Sequence, residues 1–174
     1  MNLWLVLQQN LDSKGILANF LGGLGVVILL FILNELFRPK KNLTGEWDVT
    51  NTVLDTAYNP YKGLKVVWKM HILQNGNTIT GSGEKIKDIR LDNGVEKVYE
   101  FEPAKRDTVE LQGYIEKNYL IRKSRVFINV IQVGQSRKSR ATYILKLRND
   151  STLVGTFVAT AANSKGTSIF SKNV

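Results

Sequence analysis

Cysteine is missing from this chain of 174 residues, and histidine occurs once, at His71. Without a thiol there is no disulfide framework, no thiolate metal site and no cysteine nucleophile, which agrees with a reducing cytoplasmic location. His71 falls on the outward-facing parity of a predicted strand, beside Lys69. A lone histidine in that position is far more often structural than catalytic.

Catalytic motifs are missing as well. The sequence has no Walker-type phosphate loop, no H-E-x-x-H pattern and no G-x-S-x-G elbow. Gly81-Ser82-Gly83 lies inside a predicted strand with no helix after it, which indicates a bend or bulge rather than a phosphate cradle. The acidic residues mostly fall on outward parities. We therefore expect no enzymatic activity, no metal and no cofactor.

Charge is missing from the stretch Ile16 to Leu33 (ILANFLGGLGVVILLFIL), whose single polar side chain is Asn19. As a helix this stretch would be about 27 Å long, close to the roughly 30 Å hydrocarbon core of a bilayer. A helix buried in a soluble domain keeps a polar face, and this stretch has none. The pattern predicts one transmembrane helix.

The flanks of this span predict its orientation. Arg38, Lys40 and Lys41 follow it, whereas Lys14 before it is offset by Asp12, so the positive-inside rule places the rest of the chain in the cytoplasm. Bulky residues and Pro39 stand where a signal peptidase would need small residues, so we expect a retained anchor. The preceding run of residues 3–7 (LWLVL) is too short to cross a bilayer and suits the interface. We assign residues 1–41 to this membrane region and residues 42–174 to a cytoplasmic domain.

Small residues recur along one face of the predicted helix, where a second helix could approach closely. They are Gly15, Ala18, Gly22 and Gly25. We expect these residues to form a face for self-association, and the protein to be a homo-oligomer. The alternative is that glycine is simply common in transmembrane helices.

Short alternating runs separated by Gly, Asn and Asp replace the helical pattern after Leu43, which is typical of β-strands. The predicted strands are residues 45–53, 65–72, 78–89, 95–101, 108–115, 119–133, 141–147, 152–160 and 167–171. Asn75-Gly76-Asn77 indicates a tight hairpin. Short connections favour a small antiparallel up-and-down β-barrel of about eight strands over a sandwich. The fold class is therefore all-β, preceded by one transmembrane helix.

A barrel of this size can hold one small ligand, and a net charge of +9 favours either anionic headgroups or an anionic ligand. Aromatic rings on inward parities could stack a nucleobase, although each could equally fill the barrel. A cation among Arg122, Lys123 and Arg125 is expected to point inward, but the parity of that strand is open. The candidate ligand-binding residues are Trp47, Asn51, Trp68, Tyr99, Arg122, Arg125 and Tyr143.

Gly45-Glu46-Trp47 resembles the G-x-W start of lipocalin-like barrels, in which the tryptophan closes one end of the lumen. The order of a membrane segment and a β-rich domain, together with residues 155–172 (GTFVATAANSKGTSIFSK), resembles the membrane-anchored effectors of cyclic-oligonucleotide antiphage signalling, known as CBASS. The chain departs from that family's pair of transmembrane helices, since one full span is visible.

This resemblance implies a barrel in the bacterial cytoplasm that senses a cyclic dinucleotide, after which the anchors oligomerise in the inner membrane and disrupt it. The implied partners are a cyclic dinucleotide, the lipid bilayer and further copies of the chain, with no DNA or RNA. A tethered lipocalin-like carrier of an apolar small molecule is the alternative, and a packed structural barrel without a ligand is a third reading.

Overall fold

The computed structural model describes residues 13–36, 42–92, 95–116, 124–133 and 138–173. The chain separates into two compact units between residues 40 and 41. The first contains helix α1 (Ser13–Leu36), and the second contains nine strands.

Helix α1 is the one helix of the described chain that is long and apolar enough to cross a membrane, over Gly15–Glu35. Every residue from 16 to 34 is exposed in the isolated chain, so this stretch of α1 is not buried in a protein core. Length and composition therefore fit an anchor, as predicted. Gly15, Ala18, Gly22 and Gly25 all lie within α1, and their self-association stays a prediction. The flanking cations Arg38, Lys40 and Lys41 and the run 3–7 lie outside the described residues.

The second unit has nine strands, eight of which form a closed antiparallel barrel. Its strands are β1 (Gly45–Asp55), β2 (Lys65–Asn75), β3 (Thr78–Asp92), β4 (Val95–Glu100), β5 (Thr108–Glu116), β6 (Arg125–Val133), β7 (Lys138–Asn149), β8 (Thr152–Ala159) and β9 (Ser164–Lys172). The ring runs β2-β1-β9-β8-β7-β6-β5-β3, and pairing of β2 with β3 closes it. This confirms the predicted up-and-down barrel.

Strand β4 is not part of the ring, because it pairs with the second half of β3 alone in the described structure. The first half of β3, up to Glu84, pairs with β5. The long strand β3 therefore extends past β5 while it stays paired with β2 as far as Ile89, and it carries β4 as a hairpin at this end of the barrel.

Alternation along β1 and β2 places the predicted residues inside. Trp47, Val49 and Val53 are buried in β1, and Trp68, Met70 and Ile72 are buried in β2. Asp48, Lys69 and His71 are exposed on the outer surface. The predicted hairpin between β2 and β3 is also confirmed, since Asn75 pairs with Thr78. Gly76 has a φ of +60°, as the first central position of a type II′ turn requires.

The two glycines of Gly81-Ser82-Gly83 lie where β3 closely approaches β2. A Cβ at position 81 would be 2.1 Å from the backbone oxygen of His71, and one at position 83 would be 2.6 Å from that of Lys69. The absence of a side chain is therefore a steric requirement of the barrel wall. The pairing with β2 is regular through these three residues, so there is no bulge at this point, and a bend here stays a prediction.

The barrel is tightly packed at one end. The fully buried side chains there include Trp47, Ile72, Ile79, Leu111, Ile128, Leu145, Leu153 and Phe170. The indole Nε1 of Trp47 donates to the backbone oxygen of Leu43 at 2.8 Å, so this polar atom is satisfied within the core. Trp47 is thus part of the packed core at this end, and the closing role that the G-x-W resemblance implies stays a prediction.

Candidate ligand-binding cavity

A cavity of about 490 Å³ opens at the other end of the barrel. Its walls come from the carboxyl halves of β1, β3, β6 and β8 and the amino halves of β2, β5, β7 and β9. Because consecutive strands run in opposite directions, these halves meet at the same end of the ring. The lining side chains that carry polar groups or rings are Asn51, Tyr61, Trp68, Lys85, Asp88, Arg90, Phe101, Lys105, Asp107, Gln132, Ser139, Tyr143, Phe157 and Ser164.

A buried polar network lies in the cavity wall nearest the packed core. Asn51 donates from Nδ2 to the hydroxyl oxygen of Tyr143 at 2.8 Å and accepts at Oδ1 from the hydroxyl of Ser168 at 2.6 Å. All three residues are buried. The ring of Tyr143 lies 5.9 Å from that of Phe157, which also lines the cavity. Asn51 therefore fixes the phenol of Tyr143 in one position.

Burial raises the pKa of Tyr143 from 10.0 to about 12, and the hydrogen bond from Asn51 partly opposes this shift. Since the folded-state pKa is above the unfolded value, the unfolded chain loses this proton first as the pH rises. The barrel should therefore lose about 2 kcal/mol of stability between pH 10 and pH 12. We expect Tyr143→Phe to remove that part of the pH dependence in denaturant unfolding, while Tyr114→Phe, at an exposed tyrosine of β5, keeps the wild-type slope. An unchanged slope in Tyr143→Phe would contradict this assignment.

Lys85 and Asp88 form an inward-facing ion pair in the opposite wall. Lys85 Nζ lies 2.8 Å from Asp88 Oδ2 and 4.7 Å from the centroid of the Phe101 ring. The side chains of Lys85 and Asp88 are only 16% and 8% exposed. The cation is therefore neutralised by a carboxylate and packed against an aromatic face.

A β-bulge explains why both members of this pair face inward. Trp68 of β2 pairs with Lys85, but the neighbouring Val67 pairs with Lys87, so Ile86 is an extra residue in β3. On a regular strand, residues three apart point to opposite faces. The extra residue brings Lys85 and Asp88 to the same face.

Two buried polar atoms in this wall have no hydrogen-bond partner among the residues that the structure describes. They are Nε1 of Trp68, which can only donate, and Oδ1 of Asp88. Trp68 is 7% exposed and Asp88 is 5% exposed. Buried groups of this kind are normally satisfied, so each of these two atoms leaves one hydrogen bond unused in the cavity wall.

The mouth of the cavity carries further charge. Arg90 lies 5.4 Å from the Tyr99 ring centroid, and Lys105 pairs with Glu102 at 2.9 Å. Asp107 accepts a hydrogen bond from Gln132, which in turn accepts one from the hydroxyl of Ser139. The described lining thus contains three cations (Lys85, Arg90, Lys105) and two carboxylates (Asp88, Asp107), a balance of one positive charge.

The structure brings three of the predicted site residues together: Asn51, Trp68 and Tyr143 all line the cavity. Trp47 lies in the packed core instead. Arg125 is exposed on the outer face of β6, where Val126, Ile128 and Val130 are the inward residues, so it does not supply the expected inward cation. Arg122 lies outside the described residues.

The inward orientation predicted for Tyr99 is wrong. Tyr99 is 47% exposed, because β4 lies outside the ring and all six of its residues are exposed. Phe101, just after β4, does reach the cavity.

Lys85 and Asp88 are not among the predicted site residues, because strict alternation assigns them to opposite faces of β3. A signal was present: Ile86 and Ile89 are three residues apart, which breaks the two-residue period within an otherwise alternating run. Such a phase change is typical of a bulge. Gln132 and Ser139 carry no comparable signal.

No protein-family model matches the chain, and no curated protein matches it. Two solved structures are similar in fold. A redesigned β-barrel, b11L5F_LGL, is 12% identical with a TM-score of 0.54, covering 76% of this chain and 92% of its own. A second redesigned β-barrel, mFAP1, bound to DFHBI, is 11% identical with a TM-score of 0.50, covering 75% of this chain and 94% of its own. At these identities the likeness shows the fold alone: this chain is a small β-barrel preceded by an apolar helix that is long enough to span a membrane.

Proposed function

We propose that this protein is a membrane-anchored receptor and effector of antiphage defence. Its barrel binds a cyclic dinucleotide, and binding makes the anchors gather and disrupt the bacterial inner membrane. The barrel lies in the cytoplasm and acts by binding, without catalysis. The finer part of this proposal, the class of ligand and the antiphage role, comes from the resemblance to CBASS effectors.

The observation that carries the proposal is the chemistry of the cavity. It combines aromatic rings, unpaired buried polar atoms and cations at the mouth, which suits a ligand that has both flat bases and negative phosphates. Its volume of about 490 Å³ falls within the range of about 300–1,000 Å³ typical of small-molecule sites. The fold is also compatible with ligand binding, since the similar barrel mFAP1 is bound to DFHBI.

The alternative of an apolar carrier has less support. Five charged side chains line the cavity, and two of them, Lys85 and Asp88, are largely buried. An acyl chain would displace water from these groups without replacing its hydrogen bonds, which is unfavourable. A packed structural barrel has less support still, because the lumen is filled at one end only.

Disruption of the membrane would depend on the effective concentration of the α1 helices. A ligand that favours association of barrels holds several copies of α1 close together, which turns a weak contact between helices into a strong one. At Gly22 and Gly25 of α1, an added Cβ would meet nothing within 4 Å among the residues of this unit that the structure describes. The face of small residues is therefore accessible to a second helix, as self-association requires.

Binding can be tested on the full chain reconstituted in lipid nanodiscs. Calorimetric titration with cyclic di-GMP, cyclic di-AMP and cyclic di-UMP should give saturable binding of at least one, and palmitate should give none. Saturable palmitate binding without any response to the three nucleotides would contradict the receptor and favour the carrier.

A further inference from the structure

The unpaired atoms of Trp68 and Asp88 define a site with a specific hydrogen-bonding pattern. Both residues are more than nine-tenths buried, and both line the cavity. They also lie in adjacent strands: Asp88 pairs with Val66, two residues before Trp68 in β2. One side chain presents an N–H donor and the other a carboxylate acceptor.

Building on the proposed function, we propose that Trp68 and Asp88 bind the pairing edge of one nucleobase of the ligand. Such an edge carries an N–H donor next to a carbonyl or ring-nitrogen acceptor. Asp88 Oδ1 accepts from the N–H of the base, and Trp68 Nε1 donates to the neighbouring acceptor. Trp68 and Asp88 are thus the residues that determine which base the cavity takes.

Charge places the base and the phosphate in different parts of the cavity. A phosphate beside Asp88 would meet a carboxylate, and the cation next to it, Lys85, is already committed to Asp88 and to the Phe101 ring. Arg90 lies two residues further along β3, nearer the open end, and Lys105 also lines the mouth. The phosphates therefore lie at the mouth, beside Arg90 and Lys105, with the base further in.

The ion pair with Lys85 makes Asp88→Asn an informative substitution. The Lys85 ammonium can only donate, so it holds the amide oxygen of the new side chain at the position of Oδ2. The amide nitrogen then takes the position of Oδ1 and presents a donor where the base needs an acceptor. If a phosphate occupied this position instead, removing the negative charge would strengthen binding. The sign of the effect thus separates the two arrangements.

The test uses the full chain in nanodiscs and whichever of cyclic di-GMP, cyclic di-AMP and cyclic di-UMP binds most tightly. Asp88→Asn and Trp68→Phe should each weaken binding about tenfold or more, because each removes a buried hydrogen bond. Asp48→Asn, the same change on the exposed outer face of β1, should leave the affinity unchanged. Thermal unfolding of each variant without ligand shows that the barrel is intact, and Trp68→Phe, which removes an unpaired donor, should unfold at the wild-type temperature.

A modified probe adds a second readout. Methylation of the donor nitrogen on the pairing edge should weaken binding to the wild type but cause no further loss in Asp88→Asn. Wild-type affinity in both variants, or tighter binding to Asp88→Asn, would overturn this inference while leaving the receptor intact. Failure of the wild type to bind any of the three cyclic dinucleotides would overturn the proposed function and, with it, this inference.

Discussion

A tryptophan at position 141 should abolish ligand binding and leave the barrel folded. Ala141 lines the cavity from β7 and is only partly buried, so a large side chain there extends into the cavity instead of the packed core. An indole would occupy a substantial part of about 490 Å³ and exclude the ligand. We expect the Kd for the cyclic dinucleotide to rise by about a hundredfold or more, as measured by calorimetry on the full chain.

The matched control lies on the same strand. Ile144 is 44% exposed on the outer surface of β7, so Ile144→Trp adds the same ring outside the barrel and should leave the Kd unchanged. Equal affinities for Ala141→Trp and the wild type would show that the ligand, if bound, does not occupy this cavity.

Two aspartates in α1 should release the protein from the membrane. Leu21 and Leu24 lie within the span Gly15–Glu35, and an aspartate near the centre of a transmembrane helix costs about 3 kcal/mol on insertion. The double change Leu21→Asp with Leu24→Asp therefore costs about 6 kcal/mol by the same scale, enough to prevent stable insertion. After expression in bacterial cells, we expect the wild type in the carbonate-resistant membrane pellet and the variant outside it.

The control for this experiment places the same two changes in the barrel. Leu54 and Leu73 are 56% and 50% exposed, so Leu54→Asp with Leu73→Asp alters charge equally without touching α1. This variant should stay in the pellet. A wild-type chain extracted by carbonate, or a helix variant that resists extraction, would show that α1 is not the anchor.

The regular parts of the molecule follow directly from the sequence. Helix α1 is predictable because eighteen successive residues without a charge suit the bilayer better than any soluble environment. The walls formed by β1 and β2 are predictable because Trp47, Val49, Met70 and Ile72 alternate with exposed polar residues. Closure of the ring was inferred from short connections and is confirmed by the pairing of β2 with β3.

The irregular parts determine the site, and they were not predictable in the same way. One extra residue in β3, Ile86, reverses the inward and outward orientation of the residues that follow it in β3. Asp88 is thereby brought to the same face as Lys85. Strand β4 has the same alternating pattern as the strands of the ring. It nevertheless pairs with β3 alone and lies outside the ring, so Tyr99 is exposed. The pattern therefore found Asn51, Trp68 and Tyr143, whose strands are regular, but not the ion pair opposite them.

Release of a fluorescent dye from vesicles tests whether ligand binding in the barrel cavity makes the protein disrupt a membrane. The full chain is reconstituted in vesicles with the barrel outside, and the cyclic dinucleotide that binds it is added. We predict dye release by the wild type that depends on the ligand and saturates with it, and no release by Ala141→Trp. Release that is equal with and without ligand, or equal in the two proteins, would contradict a link between the cavity and the membrane.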